Sequence, residues 1–304
     1  MTFNNLSSSF LLPIDSSEEE MSGVAHLLEH VLIVFIEHVL GQAKNIGQTV
    51  EDYIMLLCDG IELETFLDIL NDLRFNDDIV NTEKEMIRSE LKFRGRGYNE
   101  IFFRKVWENT DYEKSPLGDL MTLSDIGIRE LETLKRKILR NKILNFSKKS
   151  GINIGNPCKE NDSIKKADMS FLRSKHLLCF EKEYKILFFD KIKEEVFVLV
   201  QVLKILNPNK HIQISEKLTE SALIIENDCM YPKFQEIKEL KKEAMRIITN
   251  EIAEIKESFY YLSINELESR FFYNKSWKTR IKLLRKTNDR ALFNVLSDIR
   301  EKLQ

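Results

Sequence analysis

Short continuous apolar blocks alternate along this chain with longer stretches in which apolar residues recur every three or four positions. Ser9 to Ile14 and Tyr53 to Leu57 are runs too short for a helix, and each predicts a strand. The residues between them, around His26 to Ile33, carry a helical pattern. Further helices are predicted at about Glu62 to Leu73, Asp78 to Phe93 and Asn99 to Glu108. In the second half Tyr184 to Phe189 and Ala222 to Glu226 read as strands. Glu194 to Leu206, Phe234 to Ser258 and the segment from about Arg290 read as helices. Strand, helix, strand, helix in that order fits a second α/β unit behind the first.

Composition excludes several classes without naming one. The 304 residues are 43% hydrophobic and 31% charged with a net charge of −3, an ordinary globular balance with room for two domains. The first twenty residues contain no Lys or Arg and only a short apolar run, so neither a secretory signal nor a membrane span is expected. Cys58, Cys158, Cys179 and Cys229 are scattered without C-x-x-C spacing and read as reduced thiols of a cytoplasmic protein. The densest basic run, Leu134 to Lys142, reads as a solvated helix face rather than a nucleic-acid patch. Arg94-Gly95-Arg96-Gly97-Tyr98 occurs once and reads as a break after a helix. No nucleic-acid partner is expected.

His26-Leu27-Leu28-Glu29-His30 changes the picture. Residues i and i+4 share a helical face and i+3 lies beside them. Two imidazoles can therefore meet one metal ion while Glu29 reaches a water molecule at it, which is the raw material of a catalytic zinc site. Two histidines on an amphipathic helix can also be plain polar-face residues or partners of nearby carboxylates. A catalytic zinc site needs a third protein ligand. Asn81 to Leu91 (NTEKEMIRSEL) offers Glu83 and Glu90, seven residues or two turns apart and stacked on one helical face. Glu85 lies about 160° around that helix from Glu83 and should face elsewhere. His38 lies eight residues past His30, about 80° off its direction, and reads as a surface or helix-end histidine.

The segment SGVAHLLEHVLI resembles the G-x-A-H-x-x-E-H-M/V segment of the insulinase/pitrilysin family of zinc peptidases. A downstream helix of that family carries the same E-x6-E pattern. The resemblance implies Zn2+ held by His26, His30 and Glu90, with Glu83 supporting the site and Glu29 as the catalytic base. Asn45 to Leu73 resembles the stretch that follows in the family: Thr49 and Asp52 occupy its Thr and acidic positions, but its Asn-Ala pair is replaced by Ile46-Gly47. The sixty residues between His30 and Glu90 are fewer than the family has, and the shortening falls just before Asn45. Lys114 to Leu139 resembles the family's S/H-P-x-G segment and the helix after it, with Ser124-Asp125 placed as its N-cap. Lys142 to Asn156 resembles the closing strand, and Gly155-Asn156-Pro157 is a turn signal.

The fold class so implied is α+β: two related α/β sandwich units, each an antiparallel sheet with helices packed on one face. The first, catalytic unit spans residues 1–157, and the second, degenerate unit spans 158–304. Family members use an Arg and a Tyr from the second half to hold substrate; Arg270 and Tyr273 are candidates, and a core stripe with one exposed Arg explains the same residues. The implied activity is endopeptidase cleavage of short unfolded peptides bound as extended strands at a sheet edge. Leader or precursor processing in bacteria is the analogous role. Family enzymes close their chamber with more units than this chain holds, so a homodimer or a heterodimer with a homologous subunit is expected. The alternative is a non-catalytic subunit of such a peptidase.

Overall fold

The computed structural model describes residues 7–14, 21–41, 45–94, 98–155 and 169–303. The chain divides into two compact units, Met1–Glu160 with Phe259–Leu267, and Asn161–Ser258 with Glu268–Gln304. The domain boundary expected at 157/158, the turn at Asn156-Pro157, Cys158, the Gly95–Gly97 break and the shortening just before Asn45 lie outside the described residues.

The first unit is built on strands β1 (Ser8–Pro13), β2 (Ile46–Thr49), β3 (Tyr53–Cys58), β4 (Ile143–Ser147) and β5 (Gly151–Gly155). They form one antiparallel sheet in the order β2-β3-β1-β4-β5. Between β1 and β2 runs α1 (Val24–Leu40); α2 (Leu63–Asp72), α3 (Asp77–Arg94), α4 (Tyr98–Val106), α5 (Thr122–Asp125) and α6 (Ile128–Arg140) follow β3. Phe10 and Leu12 of β1 alternate onto the same face as Ile54, Leu56 and Cys58 of β3. That face shares its core with Leu27, Leu28, Val31 and Leu32 of α1, Phe66 and Leu70 of α2, Val80 and Ile87 of α3, and Leu131 and Ile138 of α6. Helices thus cover one face of the sheet, and α1 lies among the others, in contact with α2, α3, α6, β2 and β3.

Local chemistry sets the ends of these helices. Gly41 takes the left-handed conformation (φ 62°) and its N–H closes on the Glu37 carbonyl at 2.8 Å, ending α1. Asn76 Oδ1 accepts from the Ile79 N–H at 2.8 Å ahead of α3, whose first turn carries Asp77 and Asp78 at the positive end of the helix dipole. Two expectations change here. Ser124 and Asp125 belong to the short α5 and do not cap α6. Instead Gly127 precedes α6, and Glu130 reaches back to accept its N–H at 2.8 Å. Within the basic run, Lys135 is buried: its ammonium donates to the carbonyls of Leu73 (2.5 Å) and Asn71 (3.2 Å), the unpaired C-terminal acceptors of α2. The segment from Lys142 also departs from a single strand, since Gly151 at φ 73° turns it into the β4–β5 hairpin.

The second unit has a four-stranded antiparallel sheet of β6 (Phe171–Cys179), β7 (Lys182–Phe189), β8 (Ile212–Glu216) and β9 (Ser221–Glu226), ordered β6-β7-β9-β8. Helix α7 (Glu194–Leu206) packs against α8 (Phe234–Glu257), α10 (Trp277–Lys286) and α11 (Asp289–Leu303). Helix α9 (Phe259–Tyr273) contributes residues to both units. The architecture is the expected α+β one, two antiparallel sheets with helices, the second sheet having one strand fewer among the described residues.

Two predictions follow from the packing. Phe66 stacks on Phe10 with centroids 4.0 Å apart and both are fully buried, so Phe66→Ala should destabilise the first unit by about 3–5 kcal/mol in urea unfolding. In the second unit, desolvation of the Glu216 carboxyl pushes its pKa from 4.5 up to about 7 against the pull of the Arg280 guanidinium. The folded state therefore holds a proton there that the unfolded chain has released, and this contribution is fully present below pH 4.5 and lost as pH rises through about 7. Thermal unfolding followed across that window should fall more steeply with pH in the wild type than in Glu216→Gln.

Candidate metal centre

Helix α1 starts where Gly23 (φ 96°) meets Gly118 (φ 79°) almost backbone to backbone. A Cβ on Gly23 would lie 2.8 Å from the Gly118 Cα, and one on Gly118 would lie 2.9 Å from the Gly23 Cα, so only glycine fits on either side. The turn Ser115-Pro116-Leu117-Gly118 is closed by the Gly118 N–H on the Ser115 carbonyl at 3.1 Å. Ser22 Oγ donates to the same carbonyl, and Thr122 Oγ1 donates to the Ser22 carbonyl at 3.1 Å. Docked in this way, the turn aims the Leu117 carbonyl at His26 Nδ1, 3.2 Å away. A carbonyl can only accept, so Nδ1 carries the ring proton and the lone pair of neutral His26 sits on Nε2.

His30, one turn further along α1, is oriented from α3: Glu83 Oε2 lies 3.1 Å from His30 Nδ1. That contact again leaves Nε2 as the position from which the ring donates a lone pair. Both Nε2 atoms face one oxygen. Glu90 Oε2 is 3.6 Å from His26 Nε2 and 3.5 Å from His30 Nε2, and the three ligand atoms all lie within 4.8 Å of one another. Donors placed ~2.0–2.1 Å from a tetrahedral zinc ion are about 3.3–3.4 Å apart. The two His–Glu separations fit such an ion, and the donor set of two imidazoles and a carboxylate is one that zinc takes in catalytic sites. The His26 side chain is 4% exposed, whereas those of His30 and Glu90 are 22% and 25% exposed, so the group opens toward solvent on their side.

Glu29 belongs to a different set of contacts. It is 6% exposed, and Thr49 Oγ1 of β2 donates to its Oε2 at 2.5 Å. Gly47, on the same strand, packs directly against its side chain. The remaining sequence candidates separate cleanly. Glu85 is exposed and paired with Arg88 on the same helix, and His38 is exposed at the end of α1. Neither enters the ligand group, and among the described residues no other cluster of His, Cys, Asp and Glu has this geometry. Arg270 and Tyr273 lie at the C-terminal end of α9, in the second unit, where the Arg280 guanidinium covers the Tyr273 ring at 3.7 Å. Among the described residues no cysteine joins the ligand group: Cys58 and Cys179 are buried and unbridged, and burial pushes the Cys58 thiol up to about 12.

Residue spacing pointed to Glu83, the group that orients His30, but not to the group that orients His26. The Leu117 carbonyl and the Gly23–Gly118 contact join segments about ninety residues apart, and a main-chain carbonyl leaves no mark in the sequence. The Ser-Pro-Leu-Gly turn was the available signal.

No protein-family model matches this sequence, and no curated protein matches it. Solved structures do resemble it. A chain of complex III2 from Candida albicans, with Inz-5 bound, aligns at a TM-score of 0.59 and 10% identity over 95% of this chain and 86% of that one. The peptidase M16 inactive domain from Pseudomonas fluorescens aligns at a TM-score of 0.54 and 11% identity over 94% of this chain and 87% of that one. At such identities the likeness is one of fold, an α+β fold like that of the peptidase M16 inactive domain. An insulinase family protease from Yersinia pestis aligns at a TM-score of only 0.38 and adds nothing to that argument. Among the described residues no helix is long and apolar enough to cross a membrane.

The turn that orients His26 generates a test. A methyl group at Gly118 must push the Ser115–Gly118 turn off α1, and Gly118→Ala should weaken zinc binding about 10–100-fold in a competition titration with a chromophoric chelator.

Proposed function

We propose that this chain is a zinc-dependent endopeptidase acting on short unfolded peptides. The observation that carries the reading is the convergence of His26 Nε2, His30 Nε2 and Glu90 Oε2, with both imidazoles oriented through Nδ1. In this reading His26, His30 and Glu90 hold the metal, and Glu83 and the Leu117 carbonyl keep the two rings in the ligating tautomer. Bound zinc supplies a Lewis acid that acidifies water and polarises a peptide carbonyl. Glu29 takes the proton from the attacking water and passes it to the leaving amine. The substrate lies extended along β2, which among the described residues ends the sheet and pairs with β3 alone, so main-chain hydrogen bonds to its outer edge recognise backbone rather than sequence. Trimming of a leader or precursor peptide in a bacterium is a role that fits such a site. A second subunit, of this chain or of a homologue, closes the chamber.

The likeness to an inactive M16 domain and to a chain of a multi-subunit complex supports a second reading, a non-catalytic subunit beside an active homologue. The full ligand and base set favours the first reading, because a scaffold has no need of it.

Elemental analysis after dialysis separates the two. The wild type should retain one zinc per chain and Glu90→Ala should lose it; absence of zinc from both would move the assignment to the non-catalytic subunit. In a peptide-cleavage assay on the purified dimer, Glu29→Gln should keep its zinc and lose turnover by at least about a hundredfold.

A further inference from the structure

Gly47 and Thr49 stand two residues apart on β2, so their substituents project from the same face of the strand, and Glu29 occupies that face. A Cβ on Gly47 would lie 2.2 Å from Glu29 Oε1 and 2.6 Å from both Cγ and Cδ. Gly47 does not have a left-handed φ, unlike Gly23, Gly41, Gly60, Gly118 and Gly151. Its backbone would accept any residue, and what excludes a side chain is the space that Glu29 fills. Thr49 closes the arrangement by donating to Oε2 at 2.5 Å, with its own side chain buried.

We infer that β2 is the positioning element of Glu29: Gly47 provides the notch that seats the carboxylate, and Thr49 provides the hydrogen bond that fixes its rotation. Neither residue belongs to the ligand group, and the contacts described for both are with Glu29, through which they act. The inference rests on the proposed role of Glu29 as the base. In this chain an alanine at position 47 would displace the carboxylate by about 1 Å, a misplacement that can cost about a hundredfold in rate.

A double-mutant cycle on the full metal-free chain tests the seating without any assay of activity. Gly47→Ala should lower the thermal midpoint by about 5 °C in the wild-type background and by less than about 1 °C in Glu29→Ala, where the space is vacated. Equal losses in the two backgrounds would overturn the inference. On the zinc-loaded enzyme, Gly47→Ala and Thr49→Val should retain stoichiometric zinc and lower kcat about 100-fold and about 10-fold with KM unchanged, and Thr49→Ser should restore activity. Unchanged kcat in Gly47→Ala would likewise overturn it. Wild-type chain without zinc or cleavage would defeat the proposed function alone, because the cycle decides the seating of Glu29 by itself.

Discussion

Three lone pairs from two helices have to point at one place, and most of the first unit can be read as the means of holding them there. His26 and His30 are one turn apart on α1, so their spacing is a property of the helix. Glu90 comes from α3, and its approach to within 3.5–3.6 Å of both rings depends on how α1 and α3 pack. That packing is apolar. Leu27, Leu28, Val31 and Leu32 bury one side of α1 in the core that also receives Val80 and Ile87 of α3. The polar group therefore sits at the margin of a dense core whose rigidity sets its geometry.

Three orienting contacts around this group come from three different parts of the chain. The carbonyl of Leu117 reaches His26, Glu83 reaches His30, and Thr49 reaches Glu29. Two of the three depend on an absent side chain: Gly23 and Gly118 let the Leu117 turn close on α1, and Gly47 lets Glu29 lie against β2. Close approach of backbone to backbone, or of a carboxylate to backbone, is the common reason for glycine at these sites.

The fold leaves activity open. Structures that share it include an inactive M16 domain and a chain of complex III2. In this chain the fold carries His26, His30 and Glu90 as one group, with Glu83 at His30 and Thr49 at Glu29. A fold positions side chains, and the chemistry resides in which side chains it positions.

Sequence and structure divide the information along physical lines. Central strands β3 and β9 are buried throughout and β7 is buried from Ile186 to Phe189, so each carries a continuous apolar run that can be read directly. The edge strands β6 and β8 face solvent along much of their length, mix Arg, Lys, His, Gln and Ser with apolar residues, and escaped the pattern. Helix α7 was legible to the residue; α9, whose apolar positions form no simple stripe, and α10, whose stripe of Trp277, Ile281 and Leu284 is short, were not. The two histidines, Glu29 and the Glu83–Glu90 pair were legible because one helix's periodicity sets each group. Only the tertiary structure decided that Lys135 is buried at the end of α2, that Gly127 rather than Ser124 precedes α6, and that Leu117, Gly47 and Thr49 surround the site. Periodicity carries information over a few turns of helix; contacts between segments tens of residues apart are made by packing, and they are seen only once the core has brought those segments together.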